Sequence, residues 1–157
     1  MGTTSFNYYN PAKLLSGKKA LEAIPFELKS LGVKKPVVLC LKNDRKQGRD
    51  KILIKSFYES GITLGAVIDD EFADGAGENF TDICKLYNDR ECDSIVFMGN
   101  GLSGNAARLL KLVLDSGMQV LNSKGDVKIS CEKHIPVIAV PTGVSDADIY
   151  SGAAYYG

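Results

Sequence analysis

The sequence predicts an open, mostly parallel β-sheet with helices on both faces. Two observations predict this α/β class: short continuous apolar runs of strand length, and segments of helical periodicity that alternate with them along the chain. A continuous apolar run is typical of a strand that is covered on both faces, as in parallel sheets. Regular alternation of strand and helix favours a parallel sheet with short connections.

The chain begins with an arm, residues 1–16, that contains an aromatic, strand-like segment at 6–9 and a second short strand at 11–15. Helical spacing follows over residues 18–31, where Pro25 predicts a kink or two short helices. Gly32 is a plausible residue to end this segment. The predicted inward face of the helix consists of Ala20, Leu21, Ile24, Leu28 and Leu31.

Two strand–helix units occupy the middle of the chain. Residues 36–41 are a buried strand, 42–48 a polar loop, and 49–60 a helix with Ile52, Leu53 and Phe57 directed inward. Residues 62–68 form the next strand, and the acidic segment 69–79 is a solvated connection. A helix at 80–89 then directs Ile83, Leu86 and Tyr87 toward the core.

The last third of the chain contains two more apolar strands. The run 95–98 is followed by a helix whose apolar positions are Ala106, Ala107, Leu109, Leu110, Val113 and Leu114. A polar excursion covers 117–133, a buried strand covers 135–140, and residues 143–157 form an irregular tail. No internal linker divides the chain, so residues 1–157 are predicted to form one domain.

Composition limits the classes of function. The 157 residues are 45% hydrophobic and 24% charged, with a formal net charge of zero, which is typical of a soluble globular protein. We therefore expect neither a nucleic acid nor a membrane as partner. The first ten residues lack a basic and apolar leader, so we expect a cytoplasmic protein. Its cysteines, expected to be reduced structural thiols, are Cys40, Cys84, Cys92 and Cys131.

The strand at 95–98 ends at a glycine-rich turn. Gly99, Gly101 and Gly104 spell G-x-G-x-x-G and stand between a strand and a helix, where free N–H groups and the helix dipole favour a phosphate. This pattern is weak by itself, and no acidic residue lies about 20 positions further on to bind a ribose. The alternatives are a phosphate site and an ordinary tight connection between a strand and a helix.

Three predicted strands end at Leu41, Met98 and Val140. Ligands of open parallel sheets collect at the carboxyl ends of the strands, so we expect the segments that follow these ends to form one site. The residues of that candidate site are Lys42, Asn43, Gly99, Asn100, Gly101, Leu102, Ser103, Asn105, Pro141 and Thr142.

Four stretches together resemble the N-terminal nucleotide-binding domain of the iron-containing alcohol dehydrogenases. They are residues 17–32 (GKKALEAIPFELKSLG), 35–41, 92–108 (CDSIVFMGNGLSGNAAR) and 134–142 (HIPVIAVPT). Their order and spacing are similar to those of the family. The resemblance implies a Rossmann-like fold, NAD or NADP as cofactor, and hydride transfer to or from an alcohol as the family's reaction.

The resemblance also implies roles for single residues. Gly99 and Gly101 correspond to the turn that holds the pyrophosphate, and Pro141 and Thr142 to the loop beside the nicotinamide ribose. Lys42 or Asn43 stands where the family usually has an aspartate for the adenosine ribose. A lysine in that slot would suit the 2′-phosphate of NADP. The alternative is that Lys42 is a solvated loop residue.

Other positions depart from the family pattern. Asn100 replaces the middle glycine and adds a Cβ. Leu102 replaces a serine, and the hydroxyl of the neighbouring Ser103 could take its place if the turn shifts. Asn105 replaces an aspartate, and Arg108 replaces a lysine with conserved charge.

The family's metal is held by an aspartate and by histidines of a C-terminal helical domain, which we expect to be absent from this sequence. The lone histidine, His134, precedes a strand and is expected to be a surface residue. We therefore expect no metal and no catalysis from the isolated chain, with iron only if another domain supplies the ligands. The alternative is a non-catalytic nucleotide-binding or interaction module derived from that domain. The resemblance also implies a homodimer through the N-terminal arm.

Overall fold

The computed structural model describes residues 13, 15–17, 19–72, 80–116 and 135–142, and only the backbone of 101–105 and 116. The predictions for the N-terminal strands, the excursion at 117–133, the tail at 143–157, Cys131 and His134 lie outside these residues. In the described part, four strands and five α-helices alternate along the chain.

The strands form one parallel sheet in the order β2-β1-β3-β4. They are β1 (Pro36–Leu41), β2 (Ala66–Asp70), β3 (Ser94–Gly99) and β4 (Val137–Pro141). Val38 of β1 pairs with Val67 of β2 on one side and with Val96 of β3 on the other, and Val96 pairs with Ile138 of β4. The two central strands are buried along nearly their whole length, which explains their continuous apolar sequences.

Helices cover both faces of the sheet, as predicted. They are α1 (Ile24–Ser30), which follows a 3-10 turn at Leu21–Ala23, α2 (Lys42–Lys46), α3 (Asp50–Phe57), α4 (Phe80–Asp89) and α5 (Gly101–Ser116). On one face, α4 and α5 pack on Leu39, Ile95 and Phe97. On the other face, α1 and α3 pack on Val38 and Met98. The predicted fold class is confirmed.

Pro25 lies in the first turn of α1, directly after the 3-10 turn, so the predicted division into two short helices is correct.

Two of the predicted inward positions are wrong. Leu31 is 55% exposed, because the helix ends at Ser30 and the chain turns away at Gly32. Ile52 is 57% exposed, because Leu53 and Phe57, one helical turn apart, define the buried face of α3.

Several predicted boundaries also differ from the structure. The helix predicted at 49–60 is α3 at Asp50–Phe57, and the strands predicted at 95–98 and 135–140 are β3 at Ser94–Gly99 and β4 at Val137–Pro141. The polar segment 42–48 contains the one-turn helix α2, which buries only Asp44 and so leaves no apolar period in the sequence. The strand predicted at 62–68 is β2 at Ala66–Asp70, so Asp69 and Asp70 belong to the strand and not to the acidic loop. Pairing of β2 with Cys40 and Leu41 of β1 continues the strand beyond its apolar residues.

Candidate functional site

The candidate site lies where the order of the strands reverses. The chain goes from β1 to β2 on one side of β1, and then returns to place β3 on the other side. The connections that leave β1 and β3 therefore diverge, and ligands of open parallel sheets bind at such a reversal, at the carboxyl ends of the two strands. Cys40 pairs with Met98, so Leu41 and Gly99 end the two strands at the same level.

A glycine ends β3 at this reversal. Gly99 is buried and has a φ of 144°, a backbone conformation that side chains with a Cβ rarely adopt. Asn100 alone separates it from Gly101, the first residue of α5. The sharp turn is thus possible because position 99 has no Cβ, and it brings the start of a 16-residue helix to the end of β3.

Helix α5 begins earlier than its apolar period indicates, at Gly101. Three predicted site residues, Gly101, Leu102 and Ser103, lie in its first turn, and Asn105 follows in the second. The first N–H groups of an α-helix have no acceptor within the helix, and the helix dipole adds positive potential there. This end of α5 can therefore bind an anion, and it faces the carboxyl edge of the sheet.

Pro141 and Thr142 stand beside the glycine turn at the end of β4. Gly99 pairs with Pro141, and the backbone N–H of Thr142 donates to the Gly99 carbonyl oxygen at 2.9 Å. The structure thus brings together the glycine turn and the Pro-Thr segment that the sequence analysis assigned to one site.

A buried carboxylate that the sequence analysis did not select lies at the same edge. Asp44 of α2 is 2% exposed, and its Oδ2 accepts a hydrogen bond from the Thr142 hydroxyl at 2.9 Å. Its Oδ1 accepts from Arg49 at 2.7 Å. Because β3 lies between β1 and β4, and neighbouring strands are about 4.8 Å apart, this contact passes over the carboxyl end of β3.

The Asp44 carboxylate is fully partnered by these two contacts. Arg49 supplies the opposite charge, and a buried carboxylate with a charged partner and a hydroxyl donor is stable in the protein interior. Nothing in the sequence singles out Asp44 from the neighbouring charges, because its partner Thr142 lies 98 positions away. The available signal is a polar residue just after a strand, and such a residue is equally typical of a solvated loop.

Lys42 and Asn43 are the first two residues of α2 and follow β1 directly. Both are exposed, and the side chain of Asn43 accepts a hydrogen bond from Gln47 at 3.2 Å. Among the described residues Lys42 has no ion-pair partner within 4.0 Å. Lys42 therefore presents an exposed positive charge at the carboxyl end of β1.

Further along the same edge, Arg45 connects α2 to β2 and α3. Its guanidinium lies 3.5 Å from an Asp69 oxygen and 3.9 Å from an Asp50 oxygen. Arg45 and Asp69 are 41% and 42% exposed, so solvent weakens this pair. This pair joins α2 to the edge strand and makes no contact with Thr142.

The described residues do not fit a metal ion. No group of three histidine, cysteine, aspartate or glutamate side chains in the described ranges could hold one.

Two buried cysteines are unreactive at neutral pH. Burial, with Asp50 nearby, raises the pKa of the Cys40 thiol to about 11, and burial raises the pKa of the Cys84 thiol to about 11. Both thiols therefore stay protonated at neutral pH, and the reactive form of a cysteine is the thiolate.

In the described part of the chain no helix has the length and apolarity to span a bilayer.

The strand order and the alternating helices define a Rossmann-like α/β domain, with the candidate site at the carboxyl ends of β1, β3 and β4. Comparison with known proteins gives the family. A family model described as iron-containing alcohol dehydrogenase matches residues 11–155. This match covers most of the sequence, so the chain belongs to the iron-containing alcohol dehydrogenase family, as the sequence analysis predicted.

Individual relatives are distant in sequence. The NAD-dependent methanol dehydrogenase of Bacillus methanolicus is 23% identical over 136 residues, which cover 87% of this chain and 35% of that protein. A sulfoacetaldehyde reductase from Bifidobacterium kashiwanohense, solved in complex with NAD+, is 20% identical with a TM-score of 0.74, over 89% of this chain and 36% of that one. An alcohol dehydrogenase from Oenococcus oeni is 23% identical with a TM-score of 0.72, over 88% and 36%. The chain spans about one third of the length of these relatives.

Proposed function

We propose that the chain binds the dinucleotide NAD or NADP at the carboxyl edge formed by β1, β3 and β4. The observation that carries this proposal is the Gly99 turn at the strand-order reversal, with a φ of 144° directly before the first turn of a long helix. A diphosphate would lie against the first N–H groups of α5. The Pro141–Thr142 segment and the start of α2 would flank it on either side.

The two halves of a dinucleotide would extend along the edge from the glycine turn. β1 and β4 lie on opposite sides of β3, so one half would extend over Lys42 and Asn43 and the other toward Thr142. Asn100 adds a side chain at the turn, and its Cβ narrows the approach of the diphosphate. We therefore expect an affinity in the micromolar to millimolar range.

The choice between NAD and NADP depends on Lys42. Its exposed ammonium group follows β1 directly and has no ion-pair partner among the described residues, which favours a second negatively charged group on the ligand. The methanol dehydrogenase relative is named for NAD, and the sulfoacetaldehyde reductase was solved with NAD+. The Lys42→Ala variant tests the choice, because it would weaken NADPH several-fold and leave NADH unchanged if Lys42 contacts a 2′-phosphate.

The experiment that tests the proposal is calorimetric titration of the 157-residue chain with NADH, NADPH and ADP-ribose. The Gly99→Ala variant should lose binding of all three. An alanine is strained at a φ of 144°, so the turn that positions the start of α5 would have to change. Gly32→Ala is the matched control, since Gly32 also has a positive φ, 78°, but ends α1 and has open space around it. Absence of heat with every ligand at millimolar concentration, from a folded wild-type chain, would reject the proposal.

The oxidation of an alcohol is a property of relatives about three times as long, and for this chain we propose only the nucleotide-binding step. The metal of the family would supply a Lewis acid for the alcohol oxygen, and the described residues offer no set of ligands for it. A direct test is the change in absorbance at 340 nm when the chain is mixed with NAD+, Fe²⁺ or Zn²⁺, and a series of primary alcohols. Steady formation of NADH would contradict this restriction to binding.

A further inference from the structure

The hydroxyl proton of Thr142 is already engaged within the protein. A threonine hydroxyl has one proton to donate and two lone pairs to accept with. The proton points to Asp44 Oδ2 at 2.9 Å. Asp44 is ion-paired with Arg49 at 2.7 Å, so its carboxylate has no proton to give back. The direction of the hydrogen bond is therefore fixed, and Thr142 can only accept from any further partner.

Thr142 also stands next to the proposed diphosphate position. Its backbone N–H donates to the carbonyl oxygen of Gly99, two residues before α5 begins. A ligand with a diphosphate at the start of α5 would therefore place against Thr142 either a phosphoryl oxygen or the sugar joined to it. A phosphoryl oxygen carries only lone pairs and would face the lone pairs of Thr142. A sugar hydroxyl can donate a proton to them.

We propose that Asp44 is a positioning residue that makes the Thr142 hydroxyl a hydrogen-bond acceptor only, so that Thr142 selects a sugar hydroxyl of the ligand and not a phosphoryl oxygen. This inference rests on the proposed function, because it requires a nucleotide at the carboxyl edge. It adds a direction to the recognition: the ligand donates to Thr142, and Asp44 with Arg49 behind it enforces that direction.

The substitution Asp44→Asn reverses the hydrogen bond with little change of shape. Arg49 can only donate, so it would hold the amide oxygen of the new side chain and turn the amide nitrogen toward Thr142. That nitrogen would donate to the Thr142 hydroxyl, whose own proton would then be free to point at the ligand. Thr142 would then be able both to donate and to accept, so the variant should also take a phosphoryl oxygen at this point.

The experiment compares ADP with ADP-ribose, which differ by the sugar beyond the diphosphate. The wild-type chain should bind ADP-ribose more tightly than ADP. Thr142→Val should reduce this ratio of affinities about fivefold, the factor for one hydrogen bond of about 1 kcal/mol, without weakening ADP. Thr142→Ser keeps the hydroxyl and should restore the ratio. Asp44→Asn should also reduce the ratio, but by tightening ADP, because the freed Thr142 proton can donate to a phosphoryl oxygen while one lone pair still accepts from a sugar hydroxyl.

Asp69→Asn is the matched control, because it removes one negative charge from the same edge without contact to Thr142. It should leave the ratio unchanged. Circular dichroism confirms that each variant is folded, and Thr142→Val carries the test alone if Asp44→Asn does not fold. A folded Asp44→Asn or Thr142→Val with the wild-type ratio, or one that weakens both ligands equally, overturns the inference and leaves the proposed function intact. A folded wild-type chain that binds neither ligand overturns the proposed function itself, and the inference with it.

Discussion

The two strand-to-helix connections at the ligand edge are built by different means. After β3 the chain turns within Gly99 and Asn100, and the turn depends on a backbone conformation, a φ of 144°, that is available to glycine. After β1 the chain enters α2 with ordinary dihedral angles, Leu41 being extended, and the connection is held by the side chain of Asp44. The first device is local, whereas the second reaches across β3 to Thr142.

This difference separates what each connection can do. A turn made by glycine leaves backbone N–H groups at the start of α5 available for a ligand. A connection held by a buried carboxylate uses that polar group inside the protein, while the exposed Lys42 and Asn43 face outward at the end of β1. The edge therefore combines the proposed binding turn after β3 with a bracing connection after β1, and each can be perturbed separately.

The largest expected effect is the loss of the core contact that anchors the helix after the bracing connection. Leu53 of α3 is fully buried, and Leu53→Ala should lower the free energy of unfolding by about 3 kcal/mol through lost burial and a cavity. Its neighbour Ile52 is 57% exposed, so Ile52→Ala should change stability by about 0.5 kcal/mol or less. Urea denaturation of both variants measures the difference, and equal losses would contradict the orientation of α3.

The same pair of residues shows how far sequence patterns determine the fold. The bounds of β1 and α4 were predicted correctly, because long apolar or periodic runs record burial on a whole face. The inward position predicted for Ile52 was wrong. Leu53 and Phe57, one turn apart, define the buried face of α3, and an apolar residue adjacent to Leu53 can lie on the buried side or the exposed side of the helix. The pattern of residue types does not determine how a short helix is rotated about its axis. That rotation is set by packing against the sheet.

The site divides in the same way as the two connections. The glycine turn was predicted from sequence because its cause is local: a glycine between a strand and a helix. Asp44 was missed because its role depends on Thr142 and on the strand order that places β4 two strands from β1. A long-range contact between two common polar residues leaves no spacing signal in a single sequence.

The second prediction concerns the binding turn. Gly99→Ala forces a Cβ onto a residue with a φ of 144°, and we expect a loss of about 2 kcal/mol in the free energy of unfolding. Gly32→Ala places a Cβ in open space at a φ of 78°, a left-handed conformation, and should cost about 1 kcal/mol. Thermal or urea denaturation compares the two. A Gly99→Ala chain as stable as the wild type would show that the turn does not depend on glycine.

The third prediction tests the bracing connection. Asp44→Ala leaves Arg49 and Thr142 without their shared acceptor and should lower the free energy of unfolding by about 1.5 kcal/mol. Asp69→Ala breaks only an exposed pair with Arg45 and should cost about 0.5 kcal/mol or less. Denaturation at low and high salt separates them further, because salt screens the Arg45–Asp69 pair, exposed on both sides, more than the pair whose carboxylate is buried. Equal effects of the two substitutions would remove Asp44 from its bracing role.

The smallest expected effect is a pH dependence located at the end of β1. Cys40 precedes the bracing connection, and its counterpart in β3, with which it pairs, is Met98, which does not titrate. Burial raises the pKa of the Cys40 thiol from 9.0 to about 11, so between these values the unfolded chain releases a proton that the folded chain keeps. Stability from this thiol is complete below pH 9 and falls as the pH rises through 11.

Replacing the thiol isolates its share of that loss. Cys40→Ala should be less stable than the wild type at pH 8, because it removes a buried side chain, but its stability should fall less steeply between pH 9 and pH 11. Cys84, whose pKa is also raised to about 11 by burial alone, lies on α4, away from the ligand edge. The midpoint of thermal unfolding between pH 8 and pH 11 measures both variants. If Cys84→Ala flattened this profile and Cys40→Ala did not, the titrating group would lie away from the bracing connection. The end of β1 would then be as insensitive to pH as the end of β3.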